Sequence, residues 1–330
     1  MHAKQRKPMR SHLRRGFLFE HNAANGFFIA LPTSTMTYFA FMGALEQGFA
    51  YGFLVLGVYL TFRVLDFPDL TVDGSLPLGA AVSAVAITAG VDPFLSLLFA
   101  LLAGFLAGMV TGILSTKLGI LHLLASILTM IALYSINLRI MGRPNITLLG
   151  KSTILEPLTN AGISMFNAAP ILFGIFSILA LLLLFWLLNT AFGLAMQATG
   201  VNRQMITSQG VNTDRIIILT VGLSNGLAAV SGALLCQSQG AADVNMGVGT
   251  IVAGLASVIV GETLFGCRTI GRALLAALLG SLIYRLTIAL ALSLKLGQFS
   301  FTPSDLNLLT ALLVVGALTL PKLRRKVLSR

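Results

Sequence analysis

Residues 169–189 read APILFGIFSILALLLLFWLLN, a stretch of twenty-one residues without a charged side chain. At 1.5 Å per residue, a helix of this length covers the roughly 30 Å of hydrocarbon in a bilayer. A helix that is apolar on every side is buried in a large core or lies in a membrane. The stretch therefore predicts a membrane-spanning helix.

Eight further stretches have the same apolar character. Two of them, residues 75–91 and 247–264, are short for a span, which indicates broken or re-entrant helices. The remaining predicted spans are 37–61, 93–115, 119–140, 215–236, 270–293 and 303–320. The sequence therefore predicts an all-α, polytopic integral membrane helix bundle with about eight to ten spans.

The composition agrees with a membrane protein. Of 330 residues, 56% are hydrophobic and 10% are charged, and the mean hydropathy is +0.90. Soluble domains carry about 25% charged residues, so a soluble enzyme and a disordered chain are both excluded. The two cysteines, Cys236 and Cys267, have neither CxxC nor Cys/His spacing and indicate neither a disulfide framework nor a zinc site.

Of the net charge of +11, the +6 that lies beyond residue 35 is mainly a signal of membrane orientation. Most Lys and Arg residues after residue 35 lie in short gaps between the spans, where cations favour the cytoplasmic side. Counting them places the loop 190–214 and the C-terminal KLRRK in the cytoplasm. A footprint for nucleic acid would need a basic face outside the membrane, so we expect no nucleic-acid partner.

The basic segment 1–35 contradicts this orientation, because the same count places it outside. Three explanations stay open: the segment threads back through residues 16–35, it is translocated despite its charge, or translation begins at Met36. We expect a poorly ordered N-terminal extension at 1–35, followed by one transmembrane domain at 36–330.

Polar residues interrupt the spans at two places. Residues 62–79, FRVLDFPDLTVDGSLPLG, place three aspartates among helix breakers directly between two spans. Carboxylates at membrane depth are tolerated where they are buried in protein or line a watery cavity. Residues 237–254, QSQGAADVNMGVGTIVAG, repeat this character as a faint internal duplication. Interrupted helices at corresponding positions of two halves indicate a transport pathway, with a solvated loop and chance similarity as the alternatives.

These interruptions and the polar residues inside the spans supply the predicted translocation pathway. For each of them a helix-packing hydrogen bond is the alternative interpretation. The candidates are Glu46, Asp66, Asp69, Asp73, Ser75, Asn137, Asn225 and Asp243.

No motif predicts catalysis by this chain. Residues 266–273, GCRTIGRA, have the glycine spacing of a Walker A loop, but Arg272 and Ala273 stand where Lys and Ser or Thr are needed. His122 is the one histidine in a span, so acid–base and metal chemistry lack their usual residues. We therefore predict that the chain is not an enzyme and that any ATP dependence comes from a partner.

The loop at residues 193–219 reads GLAMQATGVNRQMITSQGVNTDRIIIL. It predicts a polar helix near 196–210, a stop at Gly210, and Asn212 or Thr213 as the N-cap of the next span. A short helix lying across a membrane loop is suited to docking a soluble partner. A solvated linker is the alternative.

From about Met36 to Arg325, the chain resembles the permease subunits of bacterial ABC importers in the branched-chain amino acid and ribose permease superfamily. The resemblance rests on residues 200–234, GVNRQMITSQGVNTDRIIILTVGLSNGLAAVSGAL, which are similar to the signature around the coupling helix of that family. Residues 56–82, LGVYLTFRVLDFPDLTVDGSLPLGAAV, resemble more closely the subgroup associated with tryptophan and tyrosine.

The resemblance implies a multi-pass permease of the bacterial cytoplasmic membrane that translocates a small solute, an aromatic or branched-chain amino acid. Its partners would be a cytoplasmic ATPase dimer, an extracytoplasmic solute-binding protein, a second permease copy as a homodimer, and membrane lipid. No cofactor would bind this chain, because ATP and magnesium belong to the ATPase. The implied ATPase-coupling residues are Gln197, Asn202, Arg203, Ile206, Gly210 and Asn212.

A different class of function stays open from the residues alone. A standalone secondary transporter or channel would use Asp66, Asp69 and Asp73 as an ion path. An intramembrane enzyme would need a paired acid and base or a metal cluster, and the sequence shows neither.

Overall fold

The structure, a computed structural model, describes residues 38–293, 295–296, 299–300 and 316. The predicted extension at 1–35, the start at Met36 and the ninth predicted span at 303–320 lie outside the described residues. The predictions about them therefore stay predictions.

Helices make up most of the described chain. They are α1 (Tyr38–Val58, continued by a π-helical segment at Tyr59–Val64), α2 (Val72–Thr88), α3 (Pro93–Thr116), α4 (His122–Met141), α5 (Glu156–Asn160), α6 (Met165–Leu188), α7 (Ala191–Val201), α8 (Arg203–Ser208), α9 (Thr213–Gln239), α10 (Thr250–Phe265) and α11 (Ile270–Ser293). The strands are β1 (Asn145–Thr147), β2 (Ala241–Asp243), β3 (Lys295–Leu296) and β4 (Phe299–Ser300), and β1 pairs with β2 and β3 with β4, both antiparallel.

Six of the helices within the described residues are long and apolar enough to cross a membrane: α1 with its π-helical segment, α3, α4, α6, α9 and α11. The helices α2 and α10 are apolar but shorter. Eight of the nine predicted spans thus coincide with a helix, and the two spans predicted to be short are the short ones. The prediction of an all-α polytopic membrane bundle is confirmed.

The two ends of the bundle are distinguished by their connections. The loop end carries α7 and α8, together with the ends of α1 and α3: Lys117 pairs with Asp214, and Val64 packs on Gly200. The strand end carries the β1–β2 pair, where residues 145–147 lie against 241–243. Chain segments predicted to share a side of the membrane therefore lie at the same end.

The helices α1 to α3 and α9 to α11 follow the same order of long, short and long, in opposite directions. The helix α1 runs from the strand end to the loop end, α2 returns from the middle to the strand end, and α3 runs to the loop end. The helices α9, α10 and α11 run the reverse course. This is an inverted repeat, and the polar stretches 62–79 and 237–254 lie at its two breaks.

Small residues allow α9 to sit at the centre of the bundle. A Cβ on Gly104 or Gly108 of α3 would lie 2.4 Å from the backbone oxygen of Asn225 or Val221, respectively. The GxxxG spacing on α3 therefore marks its interface with α9, where small residues let two backbones approach closely.

The contact between α2 and α9 is closer still. A Cβ on Gly79 would lie 1.9 Å from the carbonyl oxygen of Ala229, and a Cβ on Gly232 would lie 1.9 Å from that of Leu76. Real Cβ atoms do not approach oxygen so closely, so both positions require glycine at this helix separation. The two helices that carry the central polar residues are thus held with their backbones in contact.

Candidate functional site

The segment between α1 and α2 brings a carboxylate into the middle of the bundle. After the π-helical segment the chain is not helical from residue 65 to 70, because Pro68 cannot continue the helical hydrogen bonds. Asp69 is fully buried there. Its Oδ1 accepts the backbone N–H of Thr71 at 2.9 Å, and its Oδ2 accepts Nδ2 of Asn225 at 2.6 Å. Donors of this kind are what a buried carboxylate requires.

Asn225 of α9 is the hub of this central network. Its Nδ2 also donates to the carbonyl of Val221 at 2.9 Å, and its Oδ1 accepts the Ser75 hydroxyl at 2.7 Å. On the other side of α2, Nδ2 of Asn137 donates to the carbonyl of Gly74 at 3.3 Å. The network therefore fixes the first turn of α2 between α9 and α4.

Asp73 joins the two halves of the inverted repeat. Its Oδ1 accepts the backbone N–H of Ile251 at 2.7 Å and the hydroxyl of Thr250 at 2.9 Å, while Oδ2 accepts the N–H of Gly249 at 3.2 Å. The two N–H donors are free N–H groups at the start of α10, where a negative charge is stabilising. Thus α2 and α10 begin at the same level, and a side chain from one caps the other.

The remaining pathway candidates lie away from this centre. Glu46 accepts a hydrogen bond from Ser238 towards the strand end. Asp243 on β2 accepts Nδ2 of Asn145 at 3.3 Å. Asp66 is exposed, with a φ of 53°. Of the eight candidates, the structure therefore brings five together and separates three.

This separation bears on the hypothesis of an aspartate ion path. Asp69 and Asp73 direct their oxygens at protein donors, and Asp66 lies at the surface. Asp69 and Asp73 therefore act as hydrogen-bond acceptors inside the bundle, and Asp66 is not part of that network. What the central network does is hold the starts of two short helices in fixed positions beside α9.

The predicted coupling helix is divided in two. Residue Asn202 leaves the helical region, with φ −154° and ψ 95°, and its side chain accepts the N–H of Met205 at 3.0 Å. Asn202 thus ends α7 and caps α8, because a side-chain oxygen at this position satisfies a free N–H of the new helix. The sequence predicts a single helix over 196–210, because an asparagine inside a polar stretch does not by itself indicate that a helix ends there.

The end of the predicted coupling segment is as expected. Gly210 has a φ of +86°, and Asn212 caps α9 by accepting the N–H of Arg215 at 3.1 Å. Two other coupling candidates face the protein: Gln197 donates to the carbonyl of Leu188 at 2.9 Å, and Ile206 is buried.

Charged side chains surround α8. Nη2 of Arg203 lies 2.6 Å from Oδ1 of Asp214, and Nζ of Lys117 lies 3.5 Å from Oδ2 of the same carboxylate. Beside them is an open groove of about 530 Å³ whose lining consists of Arg203, Gln204, Thr207, Ser208, Thr213 and Asp214.

Exposed apolar side chains are the feature of the loop end that the sequence did not show. Val201 is 88% exposed and Met205 is 50% exposed, both next to the break at Asn202. Apolar side chains on a polar surface mark interaction sites where they are grouped. Only the position of the break reveals that these two side chains point away from the bundle.

The sequence also did not show the ion pair between Arg63 and Glu262. Nε of Arg63 donates to Oε1 of Glu262 at 2.8 Å, and Nη2 bonds the other carboxylate oxygen. The two residues are 199 positions apart, so no local pattern connects them. The pair ties the end of α1 to the end of α10.

Residues 40–320 match the family described as "Branched-chain amino acid transport system / permease component". The chain is 42% identical to the tyrosine transport system permease protein of Clostridioides difficile, over 84% of this chain and 90% of that protein. It is 32% identical to the autoinducer 2 import system permease protein LsrC of Yersinia pseudotuberculosis, over 64% of this chain and 59% of that protein.

A solved structure, described as an inward-facing conformation of a metal-chelate type ABC transporter, superposes on this chain with a TM-score of 0.48. The two share 19% sequence identity over 88% of this chain and 87% of that chain. This overlap is too loose to bear on the function of the protein.

Proposed function

The chain belongs to the branched-chain amino acid transport permease family of ABC transporters, and we propose that it is the membrane subunit of an importer that moves an aromatic or branched-chain amino acid. As a permease of this family, it is a multi-pass protein of the cytoplasmic membrane that associates with ATPase subunits and is not itself a catalyst. The amino acid assignment is supported by 42% identity to a tyrosine transport permease.

The observation that carries the proposal is the surface formed by α7 and α8. It offers Val201 and Met205 to a partner, and it is fixed to the bundle by buried Met196 and Ile206. A partner that pushes on these exposed side chains therefore moves the helices beneath them. The positive-inside count supports a cytoplasmic loop end, where ATPases would bind.

The importer also needs partners outside the described chain. We propose a homodimer of this permease, two ATPase subunits that bind ATP and magnesium, and an extracytoplasmic solute-binding protein docking at the strand end. A residue of one half of the inverted repeat caps a helix of the other half, as Asp73 does for α10. This supports alternating access by movement of one half against the other.

The test is reconstitution of the complete transporter in proteoliposomes. We expect uptake of tyrosine or a related amino acid that requires ATP and the binding protein and ignores ion gradients. Uptake driven by an ion gradient without ATP would overturn the proposal, as would a substrate range limited to sugars.

Val201→Asp tests the docking surface. A carboxylate on this exposed side chain would be desolvated against the ATPase, so we expect binding of the ATPase to weaken by about tenfold or more. Association is measured by co-purification and by ATP-driven uptake, with Leu118→Asp as the matched control, since Leu118 is an exposed apolar residue at the same end outside α7 and α8. Equal losses in the two variants would contradict a docking role for Val201.

A further inference from the structure

Arg285 is a cation inside a membrane helix. It is the sixteenth residue of the 24-residue α11, so about 12 Å of helix separates it from Ser293 at the strand end. Ionisable residues at such depth are costly, and they mark functional positions by default.

The described residues give Arg285 little compensation. Its guanidinium lies 3.6 Å from the ring centroid of Tyr51, and Nη1 donates to Oε1 of Gln47 at a long 3.5 Å. Within the described residues, the ion pairs involve Arg63, Lys117 and Arg203, and none involves Arg285. A guanidinium has five N–H donors, so most of its donors at Arg285 have no acceptor there.

Arg63 and Arg285 differ in what contacts the guanidinium. Arg63 is exposed at the loop end, and its fork is filled by both oxygens of the Glu262 carboxylate. Arg285 lies within the membrane span of α11, and among the described residues its guanidinium contacts the aromatic face of Tyr51 and the amide oxygen of Gln47 and no carboxylate.

The exposure of α1 changes at the level of Arg285. Along α1, Gln47 is exposed and Tyr51 is partly exposed, whereas every residue from 52 to 61 is buried. Arg285 itself is partly exposed. The guanidinium therefore lies at the level where the accessible part of α1 ends and its buried part begins.

We propose that Arg285, positioned by Tyr51 and Gln47, binds the α-carboxylate of the transported amino acid at the level where the accessible part of α1 ends. A carboxylate accepts two parallel hydrogen bonds from an arginine fork, which a neutral or cationic solute cannot do. The aromatic ring of Tyr51 keeps the fork in place through a cation–π contact and adds an apolar surface for the side chain of the solute. This inference rests on the proposed function, since it requires an amino acid as the solute.

The experiment uses the complete transporter in proteoliposomes with radiolabelled amino acid. In Arg285→Gln we expect uptake at subsaturating solute to fall by between about tenfold and a hundredfold, the range for losing a charged hydrogen-bonded pair. Arg285→Lys keeps the charge but loses the fork, so it should retain an intermediate rate. Arg139→Gln is the matched control, because Arg139 is an exposed arginine near the strand end of α4.

A second variant keeps the inference testable if Arg285→Gln fails to fold. Gln47→Glu changes an exposed side chain to an isosteric carboxylate beside Arg285, which would occupy the fork and exclude the solute. We expect uptake to fall with the thermal midpoint of the transporter unchanged or raised. Uptake at the wild-type rate in Gln47→Glu or in a folded Arg285→Gln overturns the inference.

Other occupants of the fork give different results. If a carboxylate of a second permease copy fills it, Arg285→Gln dissociates the dimer in size-exclusion chromatography, and this overturns the inference. If a lipid phosphate fills it, Arg285→Gln loses only the stabilisation by anionic lipid and keeps its uptake, which overturns it too. Failure of the proposed function is distinguishable, because the wild-type transporter would then show no ATP-dependent uptake of amino acid.

Discussion

In the middle of the bundle, α2 and α9 touch through backbone atoms and share a buried hydrogen-bond network, whereas at the loop end α7 and α8 present exposed charged and apolar side chains. Asp69 in the first region is fully buried and bonded to Asn225. Asp214 in the second region pairs with Arg203 where both side chains are substantially exposed. Both regions contain a carboxylate, but water competes with the protein partners of Asp214 and not with those of Asp69.

This difference separates residues that hold the bundle together from residues that are free to bind a partner. A buried polar group that loses its partner costs its full desolvation energy, while exposed ion pairs contribute little. The centre should therefore be sensitive to small changes in shape and hydrogen bonding. The loop end should tolerate such changes in stability and respond in its association with other subunits.

Gly79→Ala should have the largest effect on stability. The added Cβ would lie 1.9 Å from the Ala229 carbonyl oxygen, so α2 and α9 must separate. We expect a loss of about 3 kcal/mol in the free energy of unfolding, the upper range for overpacking. Gly43→Ala is the control, since a Cβ there meets nothing within 4 Å and a helical alanine is favoured over glycine. Unfolding is followed by denaturant titration in detergent, and equal stability of the two variants would refute the close contact.

Asp69→Asn should have the next largest effect. The new amide would place an NH₂ group where an oxygen now accepts from Asn225 or Thr71, leaving one buried donor without an acceptor. We expect a loss of about 2 kcal/mol in the same measurement. Asp66→Asn is the matched control, because Asp66 is exposed and asparagine tolerates its positive φ. If both substitutions cost the same, the buried network does not stabilise the centre.

Arg203→Gln should have the smallest effect on stability. The side chain of Arg203 is 42% exposed and that of Asp214 is 30% exposed, so solvent screens their attraction. We expect a loss of about 0.5 kcal/mol in the free energy of unfolding. A loss above about 2 kcal/mol would show that the loop end contributes to the stability of the bundle as the centre does, and the contrast between the regions would fail.

The parts of this structure that depend on local composition could be predicted from the sequence. Apolar runs define spans because every side of such a helix must face lipid or protein, and residues 169–188 of the first stretch lie within α6. The short helices α2 and α10 were predictable because glycine and aspartate shorten the apolar runs before them. The cap on α9 was predictable because asparagine followed by a threonine and an aspartate is a local signal.

The candidate site was predictable in its members but not in its contacts. Asp69 and Asn225 were both predicted pathway residues, yet 156 positions separate them and no pattern showed that they touch. The same holds for Asp73, whose partners on α10 are about 177 positions away. Such contacts depend on how two distant helices pack, and that is decided by the sum of many weak side-chain fits along their lengths.

The inverted repeat also has an energetic consequence for a transport cycle. Two halves with the same order of elements and opposite directions offer similar packing surfaces to both sides of the membrane, so tilting one half against the other exchanges their environments. Two such conformations need differ little in free energy. A modest input, such as the closing of a bound ATPase, is then enough to reverse their populations, and the chain itself can remain nearly neutral between them.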